Sequence, residues 1–194
     1  EIRLSLVGSE MCIRDSGVCD DTLKIVFSLI ENSTTPLVLD ADALNCVAKQ
    51  PEILLRKKAP IIITPHPGEM SRLTGLATPL VNAERERVAL DFAQKYGVVT
   101  VLKGAGTVIA SPNGKVLVNP TGNSGMATGG SGDVLAGMTA SILAQGASAF
   151  SSAAAAVYLH GLAGDIAAEK YGKISMLPTD LINCIPLAYK RCGF

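Results

Sequence analysis

Apolar residues recur at helical spacing between positions 20 and 32, where Leu23, Val26, Phe27 and Ile30 share one face and predict a helix. The pattern then changes to short continuous apolar runs. Positions 36–39 form one and 61–63 form another, the latter made only of isoleucine, as a strand covered on both faces requires. The first run ends in Asp40-Ala41-Asp42, and 43–49 then reads as a helix that Asp42 can cap. Helical spacing returns from Asn82 to Tyr96, with Val88, Phe92 and Tyr96 forming an i, i+4, i+8 stripe and Gly97 placed to end it. Another buried run at 98–102 completes a strand-helix-strand unit, which implies a parallel pair joined by a helical crossover.

The organisation differs after Lys103. Two short strands, 107–110 and 115–118, flank an Asn113-Gly114 pair that favours a tight hairpin. A segment rich in Gly, Ser and Thr, 121–132, opens into a helix over 133–145, and two more helices close the chain. The last of these starts at Pro178-Thr179-Asp180 and is expected to kink at Pro186. The first sixteen residues show neither a helical nor an alternating period and read as a foreign junction, leaving 17–194 as the domain. No internal repeat or interdomain linker interrupts it.

Composition narrows the class. The 194 residues are 48% hydrophobic, with 17 basic against 17 acidic side chains, enough apolar content for one compact core and no basic run to release counterions from nucleic acid. Five cysteines with no C-x-x-C pair, and only His66 and His160, argue against a disulfide framework, a zinc cluster or a histidine-rich metal site. The stretch 134–164 carries no formal charge, yet Gln145, Gly146, Ser148, Ser151 and Ser152 break it, so two closely packed internal helices explain it better than a membrane span. With no signal-peptide pattern at the start, a cytoplasmic protein is expected.

Ligands of parallel α/β sheets bind beyond the carboxyl ends of the strands, and three polar groups fall there: Asp40 and Asp42, the run Thr64-Pro65-His66-Pro67-Gly68-Glu69, and Lys103-Gly104-Ala105-Gly106-Thr107. The strongest single feature is the glycine segment 122–133, GNSGMATGGSGD, which feeds a helix N-terminus. Gly129, Gly130, Ser131 and Gly132 let backbone amides approach a phosphate or a developing oxyanion, and Asp133 can take the proton of an attacking hydroxyl. The same residues can also form a plain turn with Asp133 stabilising the helix end. No Lys-Ser or Lys-Thr pair follows the glycines, so this is not a Walker A loop, and it is not the G-x-G-x-x-G dinucleotide fingerprint.

In that order TPHPGE, KGAGT and GNSGMATGGSGD, with DADALN before them, closely resemble the ADP- or ATP-dependent NAD(P)H-hydrate dehydratases, a family of ribokinase-like fold. The resemblance runs from about residue 17 to the C-terminus. It implies an α/β parallel sheet flanked by helices with a small hairpin, part of the N-terminal sheet being absent from this chain. It also implies nucleotide-dependent dehydration of the S-epimer of hydrated NADH or NADPH, ADP becoming AMP and phosphate, with magnesium and either ADP or ATP as co-substrate. The hydroxyl of the hydrate is phosphorylated first in this scheme, and the ring nitrogen then expels phosphate. Carried over residue by residue, Asp133 is the base and meets the hydrate, His66 faces the hydrated dinucleotide, and Lys103, Gly104, Ala105, Gly106, Thr107 and Gly132 line the nucleotide.

Other readings stay open. His66 between two prolines can simply fix a loop, whereas His160, in an alanine-rich helix, reads as a packed core residue. Glu69 either acts on magnesium through water or starts a helix after Pro67 and Gly68, and Asp40 and Asp42 can be turn and cap residues. A small-molecule kinase such as a hydroxyethylthiazole kinase, and a noncatalytic nucleotide-binding module, are the alternatives in function. Loss of N-terminal strands would leave a strand edge unpaired, which favours a homo-oligomer.

Overall fold

The computed structural model describes residues 20–194, so the foreign-junction reading of the first sixteen lies outside the described residues. Five strands form one sheet in the order β1 (Leu37–Leu39), β2 (Ile61–Ile63), β3 (Val99–Leu102), β4 (Val108–Ala110), β5 (Val116–Val118). The first three are parallel, in register Leu39↔Ile63 and Ile63↔Thr100, while β4 and β5 run antiparallel as the expected hairpin. Helix α1 (Asp20–Asn32) precedes β1, and the crossovers carry α2 (Asp42–Lys49), a 3₁₀ turn at Pro51–Arg56, α3 (Pro67–Thr74), α4 (Thr78–Ala83) and α5 (Arg85–Tyr96). The C-terminal part adds α6 (Ser131–Ala144), α7 (Ala149–Tyr171) and α8 (Pro178–Arg191).

Strand alternation divides the core in two. Leu37, Leu39, Ile61, Ile63, Leu102, Val108 and Ala110 point to one face and pack with α1 to α5, whereas Ile62, Val99, Val101 and Ile109 point to the other and meet α6 to α8. Both faces of β1 to β4 are covered, which explains why those strands read as unbroken apolar runs, whereas Leu117 and Val118 of β5 are exposed. The uncharged stretch does form two packed helices, α6 and α7, and no helix among the described residues is long and apolar enough to cross a membrane.

Several boundaries differ from expectation. Asp42 is the first residue of α2 and not its cap: its Oδ1 accepts from Asn45 Nδ2 at 3.0 Å, and the capping position belongs to Ala41. Asn82 lies in the separate short helix α4, and α5 begins only at Arg85. The 3₁₀ turn at Pro51–Arg56 escaped the pattern because it is too short to show a period. Pro186 lies inside α8.

Helix α7 holds the start of the glycine segment. Thr121 Oγ1 donates to the Tyr158 carbonyl at 2.9 Å, and a side chain at Gly161 would overlap Thr121, reaching its backbone carbonyl carbon at 2.8 Å. Gly161→Ala is therefore expected to destabilise the domain by about 1–3 kcal/mol, since the obstructing atoms include backbone that cannot swing aside. The midpoint of urea unfolding checks this, and an unchanged midpoint would show that the loop does not depend on the glycine.

Candidate functional site

The parallel ladder continues one step beyond the strands and gathers their ends. Thr64 N–H donates to the Leu39 carbonyl at 3.1 Å, and Lys103 N–H donates to the Pro65 carbonyl at 2.8 Å. Three charged side chains meet as a result. Lys103 Nζ lies 2.7 Å from Asp40 Oδ1 and 3.8 Å from Glu69 Oε2, and the two carboxylate side chains are only 7% and 6% exposed. Burial pushes the Glu69 carboxyl above its ordinary range, with the Lys103 charge opposing that rise. Ala41, beside Asp40, is the one non-glycine residue at positive φ among the described residues, at 51°, so local backbone strain is held where the carboxylate is placed.

The segment 64–69 forms a cap. His66 Nδ1 accepts from the amides of Gly68 at 2.9 Å and Glu69 at 3.3 Å, while Glu69 Oε2 accepts from the His66 amide at 2.7 Å, a reciprocal box that starts α3 at Pro67. Glu69 is thus the third residue of the helix and not its first. Two amide donors on Nδ1 require that nitrogen to be bare, so the proton of the neutral ring is on Nε2, 3.6 Å from Glu69 Oε1. Burial, reinforced by Lys103 and Arg72, holds the His66 pKa below its ordinary value and keeps the ring neutral. The loop-fixing reading of His66 therefore holds through Nδ1, and the ring remains half-exposed.

The glycine segment is two structures. Its first half is fastened to α7: Gly122 N–H donates to Asp165 Oδ2 at 2.9 Å, and Asn123 Nδ2 donates to Asp165 Oδ1 and the Gly164 carbonyl, both at 3.0 Å. A 3₁₀ turn at Ser124–Met126 follows. Only 127–130 forms an open turn, ending at Gly130 with φ 99°, and α6 begins at Ser131, two residues before the expected start at Asp133. A Cβ on Gly132 would stand 3.5 Å from Lys103 Nζ and 3.8 Å from Asp40 Oδ2, so the first turn of α6 faces the charged cluster. Asp133, exposed in that turn, and Asp40 both border a cavity of about 660 Å³ that runs along β1, the edge strand among the described residues, between α1 and α6.

The nucleotide candidates surround a tight turn. Thr107 Oγ1 donates to the Gly104 carbonyl at 3.0 Å. Gly104 has φ 148°, and a Cβ there would lie 2.9 Å from the Arg85 guanidinium, which donates to the Leu102 carbonyl at 2.8 Å. Arg85, Asn123 and Asp165 were not singled out from the sequence; each acts through backbone groups distant in the chain, and nothing local signals that. The structure therefore brings Asp40, His66, Glu69, Lys103, Gly132 and Asp133 to one end of the sheet, with Gly104, Ala105, Gly106 and Thr107 adjoining and Gly129, Gly130 and Ser131 opening the helix. His160 is buried behind them, as a core residue should be, but is hydrogen-bonded to the Ser131 carbonyl.

Residues 17–187 match the family model described as NAD(P)H-hydrate dehydratase. The chain belongs to the NAD(P)H-hydrate dehydratase family. It is similar to the bifunctional NAD(P)H-hydrate repair enzyme Nnr of Moorella thermoacetica, 45% identical over 88% of this chain and 32% of that protein. It is also similar to the ADP-dependent (S)-NAD(P)H-hydrate dehydratase of Neisseria meningitidis, 44% identical over 74% of this chain and 49% of the relative. The chain thus spans a third to a half of these relatives. Among solved structures, the Bacillus subtilis ADP/ATP-dependent NAD(P)H-hydrate dehydratase, co-crystallised with ATP and Mg²⁺, superposes with a TM-score of 0.82 at 34% identity, over 91% of this chain and 61% of that one. A ribokinase-like protein of Enterococcus faecalis superposes at 0.76 with 30% identity, in keeping with the ribokinase-like fold.

In this member of the NAD(P)H-hydrate dehydratase family, Lys103→Met should lower stability by about 3–5 kcal/mol at neutral pH, because it leaves Asp40 and Glu69 buried without their cation. The Glu69 carboxyl, raised by burial, would lose the Lys103 charge that opposes the rise, so the deficit should shrink as the pH falls to about 5. Chemical denaturation at both pH values measures it; a deficit independent of pH would show that lost packing, not charge, is responsible.

Proposed function

We propose that this domain removes water from the S-epimer of hydrated NADH or NADPH, consuming ADP and releasing AMP and phosphate. The observation that carries this reading is the approach of the α6 N-terminus to the Lys103–Asp40 pair, which sets helix amides, an ammonium and the Asp133 carboxylate around one position fit for a phosphoryl group. The names of the relatives supply the substrate class and the nucleotide, and the order of motifs supports the carry-over.

In this reading residues 103–107 and Gly132 hold the nucleotide, with the Gly104 turn admitting backbone close to it and Lys103 reaching its phosphates. Asp133 orients the hydrate hydroxyl and takes its proton as the oxygen bonds to the β-phosphorus of ADP and AMP departs. The lone pair of the ring nitrogen then expels phosphate, a far better leaving group than hydroxide, and loss of a neighbouring ring proton restores the double bond. Half-exposed Nε2–H of His66 is placed to orient the hydrated nicotinamide.

Among the described residues no group of three His, Cys, Asp or Glu side chains could hold a metal, and the buried carboxylates already share Lys103. This donor set fits a magnesium ion carried on nucleotide phosphates, with Glu69 meeting it through water; bound there, the ion would neutralise phosphate charge.

Asp133→Asn keeps the size of the side chain but removes its basicity. It should lower single-turnover recovery of NADH from its S-hydrate by about 10²- to 10⁴-fold, with ADP affinity nearly intact, in the protein that carries this domain. Rates near wild type would reduce Asp133 to a helix-terminal residue, and a phosphorylated product that retains its water would make the protein a kinase. Gly132→Val should weaken AMP binding, since a β-branched side chain fills the space before Lys103; equal calorimetric affinity in the folded variant would remove Gly132 from the nucleotide site.

A further inference from the structure

We infer that His160 is a positioning residue that aims the phosphoryl-binding amides at the start of α6 by gripping the Ser131 carbonyl. The inference deepens the proposed function and rests on its placement of phosphate at that helix end.

His160 lies on α7, 9% exposed, with Nε2 2.9 Å from the Ser131 oxygen. A carbonyl can only accept, so Nε2 carries the proton. Burial, aided by the nearby Lys103 charge, pushes the pKa of the ring down to about 4, and the donor is therefore a neutral imidazole at physiological pH. The far end of the gripped peptide unit is the amide of Gly132. In a trans peptide the C=O and N–H point in opposite directions, so a carbonyl held toward α7 fixes the direction of the Gly132 N–H. That amide is in the first turn of α6, where N–H groups lack intrahelical acceptors and are available to an anion. A hydrogen bond on the carbonyl also polarises the peptide unit and strengthens its N–H as a donor.

The position needs such a tether. The α6 cap is Gly130 in left-handed conformation with no side-chain cap bond, and Gly129 before it is exposed. Ser131, 6% exposed, is the buried point of this opening turn, whereas Asp133 two residues on is exposed. Helix α7 is a firm anchor, a 23-residue helix to which Asp165 and the Tyr158 carbonyl also fasten the segment before α6. Lys103, of the charged cluster, also approaches Gly132: a Cβ there would stand 3.5 Å from its Nζ, and its charge is felt at the His160 ring.

The test uses His160→Leu, which removes the donor, and His160→Gln, whose amide can donate from a similar reach. His160→Asn, too short to reach Ser131, replaces the Leu variant should that one not fold. Two readouts are taken on the intact chain: the Gly132 amide resonance in the free protein, and calorimetric affinity for AMP with and without beryllium fluoride as the phosphoryl mimic. In His160→Leu the Gly132 resonance should move, AMP alone should bind within about twofold of wild type, and the gain that fluoride confers should fall about tenfold. His160→Gln should restore both. A merely structural histidine would weaken both affinities together or neither. An unmoved Gly132 resonance in His160→Leu, or an undiminished fluoride gain, overturns the inference. Failure of the wild-type chain to bind AMP at all would count against the proposed function, while the Gly132 resonance would still decide whether His160 positions the amide.

Discussion

Two carboxylates buried side by side demand a cation between them, and in this domain Lys103 is that cation. Asp40 follows β1, Glu69 belongs to the helix after β2, and Lys103 follows β3, so the contact ties together the ends of all three parallel strands. Each strand end is also held by a backbone hydrogen bond to its neighbour, which leaves the cluster little freedom to rearrange. The burial that gives Lys103 two carboxylate partners also sets its ammonium before Gly132, the position where the proposed function seats a phosphate.

The same economy governs the C-terminal layer. Glycines at 161 and 164 let the segment 121–126 lie directly on α7, and Asp165 and His160 then fasten the two ends of the glycine segment to that one helix. A rigid α7 converts a sequence rich in flexible residues into a fixed approach to α6. Arg85 does the corresponding task for the turn at 103–107, packing where a side chain at Gly104 would be and holding the Leu102 carbonyl.

Much of this was legible in the chain. The isoleucine run at 61–63 and the Val88, Phe92, Tyr96 stripe specify their elements because burial on two faces, or on one, leaves an unmistakable period. The strand-end clustering of Asp40, His66 and Lys103 follows from parallel topology alone. What the sequence hid were interactions between distant positions and backbone: the true cap of α2, which depends on a strained Ala41; the division of the glycine segment, which depends on Asp165; and the bond from His160 to Ser131, invisible in an alanine-rich helix where a histidine looks like packing. The capping box of His66 and Glu69 was half visible, since spacing and the prolines point to a helix start, but histidine is an unusual residue to lead one.

The proposed function requires Lys103 to be shared between its buried carboxylates and a nucleotide phosphate. Its side-chain ¹⁵N ammonium resonance, followed while ADP is added to the protein, tests this directly. A shift that saturates with the same dissociation constant as ADP binding measured by calorimetry is the expected result. A resonance that stays in place while ADP binds would put the nucleotide elsewhere and leave the cluster a purely structural ion pair.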